Sequence, residues 1–200
     1  RSLIAFIFSF IFSFIGLKFF IKFLKSKGQF QPIRADGPEG HLITKQKTPT
    51  MGGLVCAISL FVFTLLFCDL KNLYVISTLF VSISFAMIGL TDDVMKVFLR
   101  NTNGFRGKYK ILLQMFFAGI GVLIVTYSDS LFGNDQNVFV PFFKAVLYIG
   151  ILYVPFVVLT VVGSSNAVNL TDGLDGLATI PIIINIVALG LICFASIYGA

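Results

Sequence analysis

Long apolar runs, separated by short segments rich in charge or glycine, set the pattern of this chain. A helix needs about 20 mostly apolar residues to cross a bilayer core. Six stretches reach or approach that length: Leu3–Leu24, Met51–Phe67, Leu73–Leu90, Ile111–Tyr127, Pro141–Val162 and Leu177–Tyr198. They predict an all-α fold, a polytopic transmembrane helical bundle, forming a single integral membrane domain over residues 1–200. The first run is read as a span rather than a signal peptide, because it is long, lacks a basic start and carries its lysines at its C-terminal end. A charge at mid-span costs about 2.5–3.5 kcal/mol on insertion scales, so charges should gather at helix ends and loops. Lys18 and Lys22 fall near one end of the first run, where they can snorkel, and Lys144 falls near the start of the fifth.

Composition sharpens the class. Of 200 residues, 57% are hydrophobic and 12% charged, where an ordinary soluble domain has about 25% charged residues. That excludes a conventional water-soluble domain. The sequence begins at Arg1 rather than Met and stops at Ala200 behind an apolar run, so it is expected to be a piece of a longer chain at both ends. Cys56, Cys68 and Cys193 are widely spaced, form no CxxC pair and read as structural. The single His41 builds no histidine-rich metal site within these residues and reads as a loop residue.

Basic residues orient the bundle. Lys18, Lys22, Lys25, Lys27, Arg34, Lys45 and Lys47 flank one loop, and Lys96, Arg100, Arg106, Lys108 and Lys110 flank the next on the same side. The opposite side has Arg1, Lys71 and Lys144, so twelve against three places the basic loops in the cytoplasm. The net charge of +6 is then mostly topology and attraction to anionic membrane lipid. No nucleic-acid partner is expected.

The carboxylates carry more chemistry. Six of the nine lie on the cytoplasmic side: Asp36, Glu39, Asp92, Asp93, Asp172 and Asp175. Asp92 and Asp93 directly follow the third run, which places two adjacent anions at a helix C-terminus, where the macrodipole disfavours them. A cation, a lysine or a proton transfer would relieve that placement, although an exposed acidic loop would also contain such a pair. The segment Gly163–Gly176, GSSNAVNLTDGLDG, repeats Asn166, Asn169, Asp172 and Asp175 at every third position among three glycines. It reads as a broken helix or turn, tolerated where backbone borders protein or water. Its side chains could receive a nucleotide or metal, while Thr171 and Asp172 could equally cap the next helix.

The first cytoplasmic loop holds RADGPEGH (Arg34–His41) and KQKTPTMGG (Lys45–Gly53). Thr48, Thr50 and the glycines bring hydroxyls and amides to a helix start, which suits phosphate, and Lys45 and Lys47 could add charge-assisted hydrogen bonds. Thr-Pro before a helix is also ordinary capping. All three polar groups lie on one membrane face and mid-span charge is absent. That arrangement favours a site open to cytosol and lipid interface over a permeation path, which more often has ionisable groups near the midplane.

Asp36–His41, TPTMGG (Thr48–Gly53), GLTDDVMK (Gly89–Lys96), VFVPFFK (Val138–Lys144) and GSSNAVNLTDGLDGLA (Gly163–Ala178) resemble, in order and spacing, the phospho-N-acetylmuramoyl-pentapeptide transferases. These are a branch of the polyprenyl-phosphate N-acetylhexosamine-1-phosphate transferases, which share variants of the DD and NLTDGLDG elements. The resemblance implies a fold of about ten spans, six of them here, in the bacterial cytoplasmic (inner) membrane, with the active site on its cytoplasmic face. It implies transfer of phospho-MurNAc-pentapeptide from UDP-MurNAc-pentapeptide to undecaprenyl phosphate, giving lipid I and UMP in peptidoglycan synthesis, with Mg²⁺ as cofactor and a homodimer as a candidate assembly. Asp92 matches the family carboxylate that serves either as base or as covalent nucleophile, Asp93 its essential neighbour, and Lys45 the active-site lysine. Asn169, Asp172 and Asp175, with Asn166 and Thr50 beside them, match the substrate-binding region. The family's main metal aspartate and its histidine-rich loop are expected beyond residue 200, leaving Asp92 and Asp93 as the metal candidates here and residues 1–200 inactive alone. A related sugar-1-phosphate transferase is the alternative, and a transporter or non-catalytic scaffold a more distant one.

Overall fold

The computed structural model describes residues 2–27, 51–98, 104–132, 137–140, 145–172 and 177–198. The apolar runs form helices α1 (Ser2–Ser26), α2 (Gly53–Phe67), α3 (Leu73–Phe98), α4 (Gly107–Phe132), α5 (Tyr153–Thr171) and α6 (Thr179–Tyr198). Within the series α1 to α5, helices adjacent in sequence pack against each other, as in up-and-down helical bundles.

Close approach sets the packing. The four residues Ala118, Val122, Val158 and Val162 bury the α4–α5 seam, and Phe85 of α3 packs against it. Where α3 crosses α4, the Ser77 hydroxyl donates to the Gly121 carbonyl at 2.7 Å, and a Cβ at position 121 would overlap the Val81 side chain. Small residues let helices meet this closely in membranes, where hydrophobic driving force between them is absent. Ser59 of α2 similarly donates to the Ser9 carbonyl of α1 at 3.0 Å. The outward faces are apolar, with Phe6, Phe10 and Phe14 of α1 each more than half exposed. Outward apolar side chains suit a surface bathed in lipid.

Among the described residues, four segments are long and apolar enough to cross a membrane: Leu3–Ser26, Leu73–Val97, Gly107–Tyr127 and Gly150–Thr171. The protein is therefore a multi-pass membrane protein. The other two expected spans correspond to the shorter apolar helical segments Gly53–Phe67 and Thr179–Ala195. At 15 residues, α2 rises about 22 Å, less than the core thickness of about 30 Å.

Three expectations are corrected. The expected fifth span, Pro141–Val162, is α-helical among its described residues only from Tyr153, and positions 141–144 lie outside the described residues. Strands β1 (Asn137–Val140) and β2 (Ala145–Tyr148) pair antiparallel, with Asn137 opposite Tyr148 and Val140 opposite Ala145, and a 3₁₀ turn at Gly150–Leu152 leads into α5. Val, Phe, Leu and Tyr are as suited to a short strand as to a buried helix, so apolarity alone does not separate the two. Second, the helix break or turn expected over Gly163–Gly176 does not start at Gly163: α5 continues through it to Thr171 and closes with the Asp172 N–H donating to the Val168 carbonyl at 3.1 Å. Third, Asp92 and Asp93 do not follow their helix but lie inside α3, which runs on to Phe98. The macrodipole acts mainly within the last turn, so its penalty at Asp92 is smaller than the sequence suggests.

Candidate active site

The continuation of α3 past the acidic pair has a local cause. Asp92 and Lys96 are four residues apart, which puts them one above the other on a helix face, and the Lys96 ammonium donates to Asp92 Oδ2 at 2.6 Å. The pair is largely withdrawn from solvent, with 14% of the Asp92 side chain and 25% of the Lys96 side chain exposed. The second Asp92 oxygen, Oδ1, accepts the backbone N–H of Phe105 at 2.7 Å. Hydrogen bonds to charged groups contribute about 1.5–3 kcal/mol each, enough to hold this carboxylate in one orientation against rotation.

The chain reaches Asp92 from Phe105 through an unusual backbone. Gly104 is buried and has φ +60°, in the left-handed region that other residues rarely adopt. A Cβ there would overlap Asp92 Oδ1 and stand 2.6 Å from Lys96 Cε. The segment before α4 thus closes directly on the acidic pair.

Asp93, next to Asp92 and partly buried, has no hydrogen bond or ion pair with any of the described residues. Lys110, on the first turn of α4, adds positive charge that acts on both carboxylates. One turn further along α4 lies Gln114, 4% exposed, whose Oε1 accepts the Asn166 side-chain N–H at 2.7 Å. Asn166 also donates to its own helix at the Val162 carbonyl, at 2.8 Å. The face of α4 carrying Lys110 and Gln114 therefore links the α3 carboxylates with the polar end of α5.

Of the expected site residues, Asp92, Asp93 and Asn166 are brought to this connected polar region. Asn169 and Asp172 lie exposed at the end of α5. Lys45, Thr50 and Asp175 lie outside the described residues. In the sequence Lys96 and Lys110 read only as topology signals, and Gly104 and Gln114 carry no expectation. The Asp-x-x-x-Lys spacing and a lone glutamine within ILLQMFFAG were the signals available for Lys96 and Gln114. Nothing local distinguishes Gly104, whose contacts lie at positions 92 and 96.

The donor set suits a hard divalent cation at Asp93, the carboxylate that no described residue occupies, whereas Asp92 already receives a lysine and an amide. Among the described residues no three of His, Cys, Asp or Glu cluster as a metal cage. Mg²⁺, however, is commonly bound by one or two carboxylates plus phosphate and water. Chemically, the arrangement can orient one carboxylate rigidly, leave its neighbour available, and surround both with cations suited to phosphate.

Residues 75–199 match the family model described as glycosyl transferase family 4. The chain is 44% identical over 197 residues to a protein named phospho-N-acetylmuramoyl-pentapeptide-transferase from Orientia tsutsugamushi (strain Ikeda), covering 97% of this chain and 53% of that protein. It is 48% identical over 184 residues to the protein of the same name from Rickettsia prowazekii (strain Madrid E), covering 91% of this chain and 50% of that one. The chain spans about half the length of the curated relatives it matches.

Proposed function

The chain belongs to glycosyl transferase family 4, and from that premise we propose that the protein transfers phospho-MurNAc-pentapeptide from UDP-MurNAc-pentapeptide to undecaprenyl phosphate. A phosphate oxygen of the lipid attacks the β-phosphorus of the donor, the bond from that phosphorus to the oxygen of the α-phosphate breaks, and UMP leaves. The product is a lipid-linked pyrophosphate sugar, lipid I. The relatives named for this transfer, at 44% and 48% identity, favour it over another sugar-1-phosphate transferase of the same family.

The observation that carries the reading is the fixed Asp92 beside Asp93, which no described residue bonds, with Lys96 and Lys110 around them. Phosphoryl-type transfer depends chiefly on positioned charge. Asp92, its two oxygens fixed by donors, is presented to the lipid phosphate either as base or as nucleophile. Asp93 would hold Mg²⁺, which when bound neutralises charge on the donor pyrophosphate. Lys110 draws the anionic donor toward the pair, and Lys45 is assigned to the same pyrophosphate. Asn169 and Asp172 are assigned to the nucleotide, as are Asp175 and Thr50, and Asn166 steadies α5 against α4 through Gln114. The site faces the cytoplasm of a bacterial inner membrane, where a soluble donor and a membrane-held acceptor can meet.

The test is to supply the full-length protein, in proteoliposomes with Mg²⁺, with both substrates and identify the lipid product by mass. Undecaprenyl-pyrophosphoryl-MurNAc-pentapeptide is expected. A product formed only from a different UDP-sugar would assign the protein to another branch of its family.

A further inference from the structure

We propose that Gly104 is a positioning residue for Asp92: only a residue without a Cβ lets the 104–105 backbone close on the carboxylate and deliver the Phe105 N–H to Oδ1. Two independent features require glycine. The backbone at 104 has φ +60°, a left-handed conformation that places the Cβ of an L-residue too close to the following carbonyl oxygen. The space a Cβ would enter is filled by Asp92 Oδ1 and by the Lys96 side chain, with Cε at 2.6 Å and Cγ at 3.2 Å. Neither obstacle is the free end of a flexible chain, because Asp92 and Lys96 hold each other at 2.6 Å. An added methyl group must therefore push the amide away from Oδ1, turn the carboxylate, or part it from Lys96. Gly104 itself takes no part in the transfer. It acts through the orientation of Asp92, so its loss should lower turnover and leave substrate affinity alone.

The experiment uses the full-length protein in proteoliposomes and two readouts. The catalytic one rests on the transfer reaction proposed above, and the second does not. In Gly104→Ala, kcat should fall about a hundredfold, as for a displacement of about 1 Å at a reacting group, with KM for both substrates unchanged. Gly119→Ala, where a Cβ meets nothing within 4 Å, should retain wild-type kcat. For the second readout, protein labelled with ¹⁵N-phenylalanine shows the Phe105 amide, assigned by its disappearance in Phe105→Leu. Its proton should lie downfield in the wild type, and should move upfield in both Asp92→Ala and Gly104→Ala.

Wild-type kcat in Gly104→Ala, or a rise in KM alone, would overturn the inference. So would a Phe105 amide that does not respond to Asp92→Ala, a result that decides the matter even if Gly104→Ala fails to accumulate in membranes. A wild-type protein inactive on these substrates would remove the proposed reaction, and the amide shifts would then decide the positioning role by themselves.

Discussion

Lys96 reaches back one turn of α3 to place its ammonium 2.6 Å from Asp92 Oδ2, while the adjacent Asp93 meets no partner among the described residues. Two neighbouring carboxylates therefore have different surroundings. One is held from both sides, and the other is left for a ligand. That asymmetry requires α3 to continue to Phe98, since Lys96 lies over Asp92 only while the helix persists between them.

In the full-length protein, Asp92→Asn and Asp93→Asn should each reduce turnover by at least about a hundredfold, the scale of losing a positioned acid–base group. Membrane levels should stay near wild type, because neither side chain fills the apolar core. Near-normal UMP release by both variants would leave the pair as ordinary helix-surface charge.

Removing the lysine leaves the partly buried Asp92 with the Phe105 amide alone. Lys96→Met should lower thermal stability by an amount equivalent to about 1.5–3 kcal/mol, the value of a hydrogen bond to a charged group, and should lower turnover as well. Lys96→Arg, which keeps the charge, should recover part of both. Thermal unfolding in detergent with parallel UMP assays measures this, and an unchanged midpoint in Lys96→Met would mean the pair contributes nothing to the fold.

The Gln114–Asn166 hydrogen bond joins α4 to α5 at 2.7 Å. Interhelical bonds of this kind contribute about 0.6 kcal/mol on average and up to about 1.7 in membranes. A double-mutant cycle of Gln114→Ala and Asn166→Ala should return a coupling in that range. Asn169→Ala and Asp172→Ala, at the exposed end of α5, should instead weaken UDP-sugar binding with the unfolding midpoint unchanged. Unaltered binding with a lowered midpoint would make Asn169 and Asp172 structural.

Much of this was legible in the sequence and some of it was not, for physical reasons. Apolar runs with charged flanks mark membrane helices because no other open structure satisfies its backbone in lipid, and α1, α2 and α6 follow the runs closely. The hairpin at Asn137–Tyr148 was missed because strand and helix draw on the same apolar residues over so short a length. Charge reads as the end of a helix and places the α3 boundary at Leu90, whereas α3, braced by the Asp92–Lys96 pair, runs about two turns further to Phe98. The two contacts that define the site could not be read locally: Phe105 meets Asp92 across 13 residues and Asn166 meets Gln114 across 52.

Topology is open to a direct check. With the exposed Cys56, Cys68 and Cys193 replaced, Lys71→Cys between α2 and α3 should react with an impermeant thiol reagent on intact cells. Lys108→Cys, at the start of α4, should react only after the membrane is opened. The opposite pattern would turn the basic loops outward and remove the cytoplasmic site.

The fate of the donor's β-phosphate tests the central claim most directly. UDP-MurNAc-pentapeptide labelled with ³²P at the β-position is given to the full-length protein with undecaprenyl phosphate and Mg²⁺, and lipid and aqueous phases are separated. Transfer of the sugar with its phosphate predicts label in the lipid and unlabelled UMP in water, with both lost in Asp93→Asn. Label recovered as UDP, with sugar alone on the lipid, would show that the glycosidic bond breaks instead and would contradict the account.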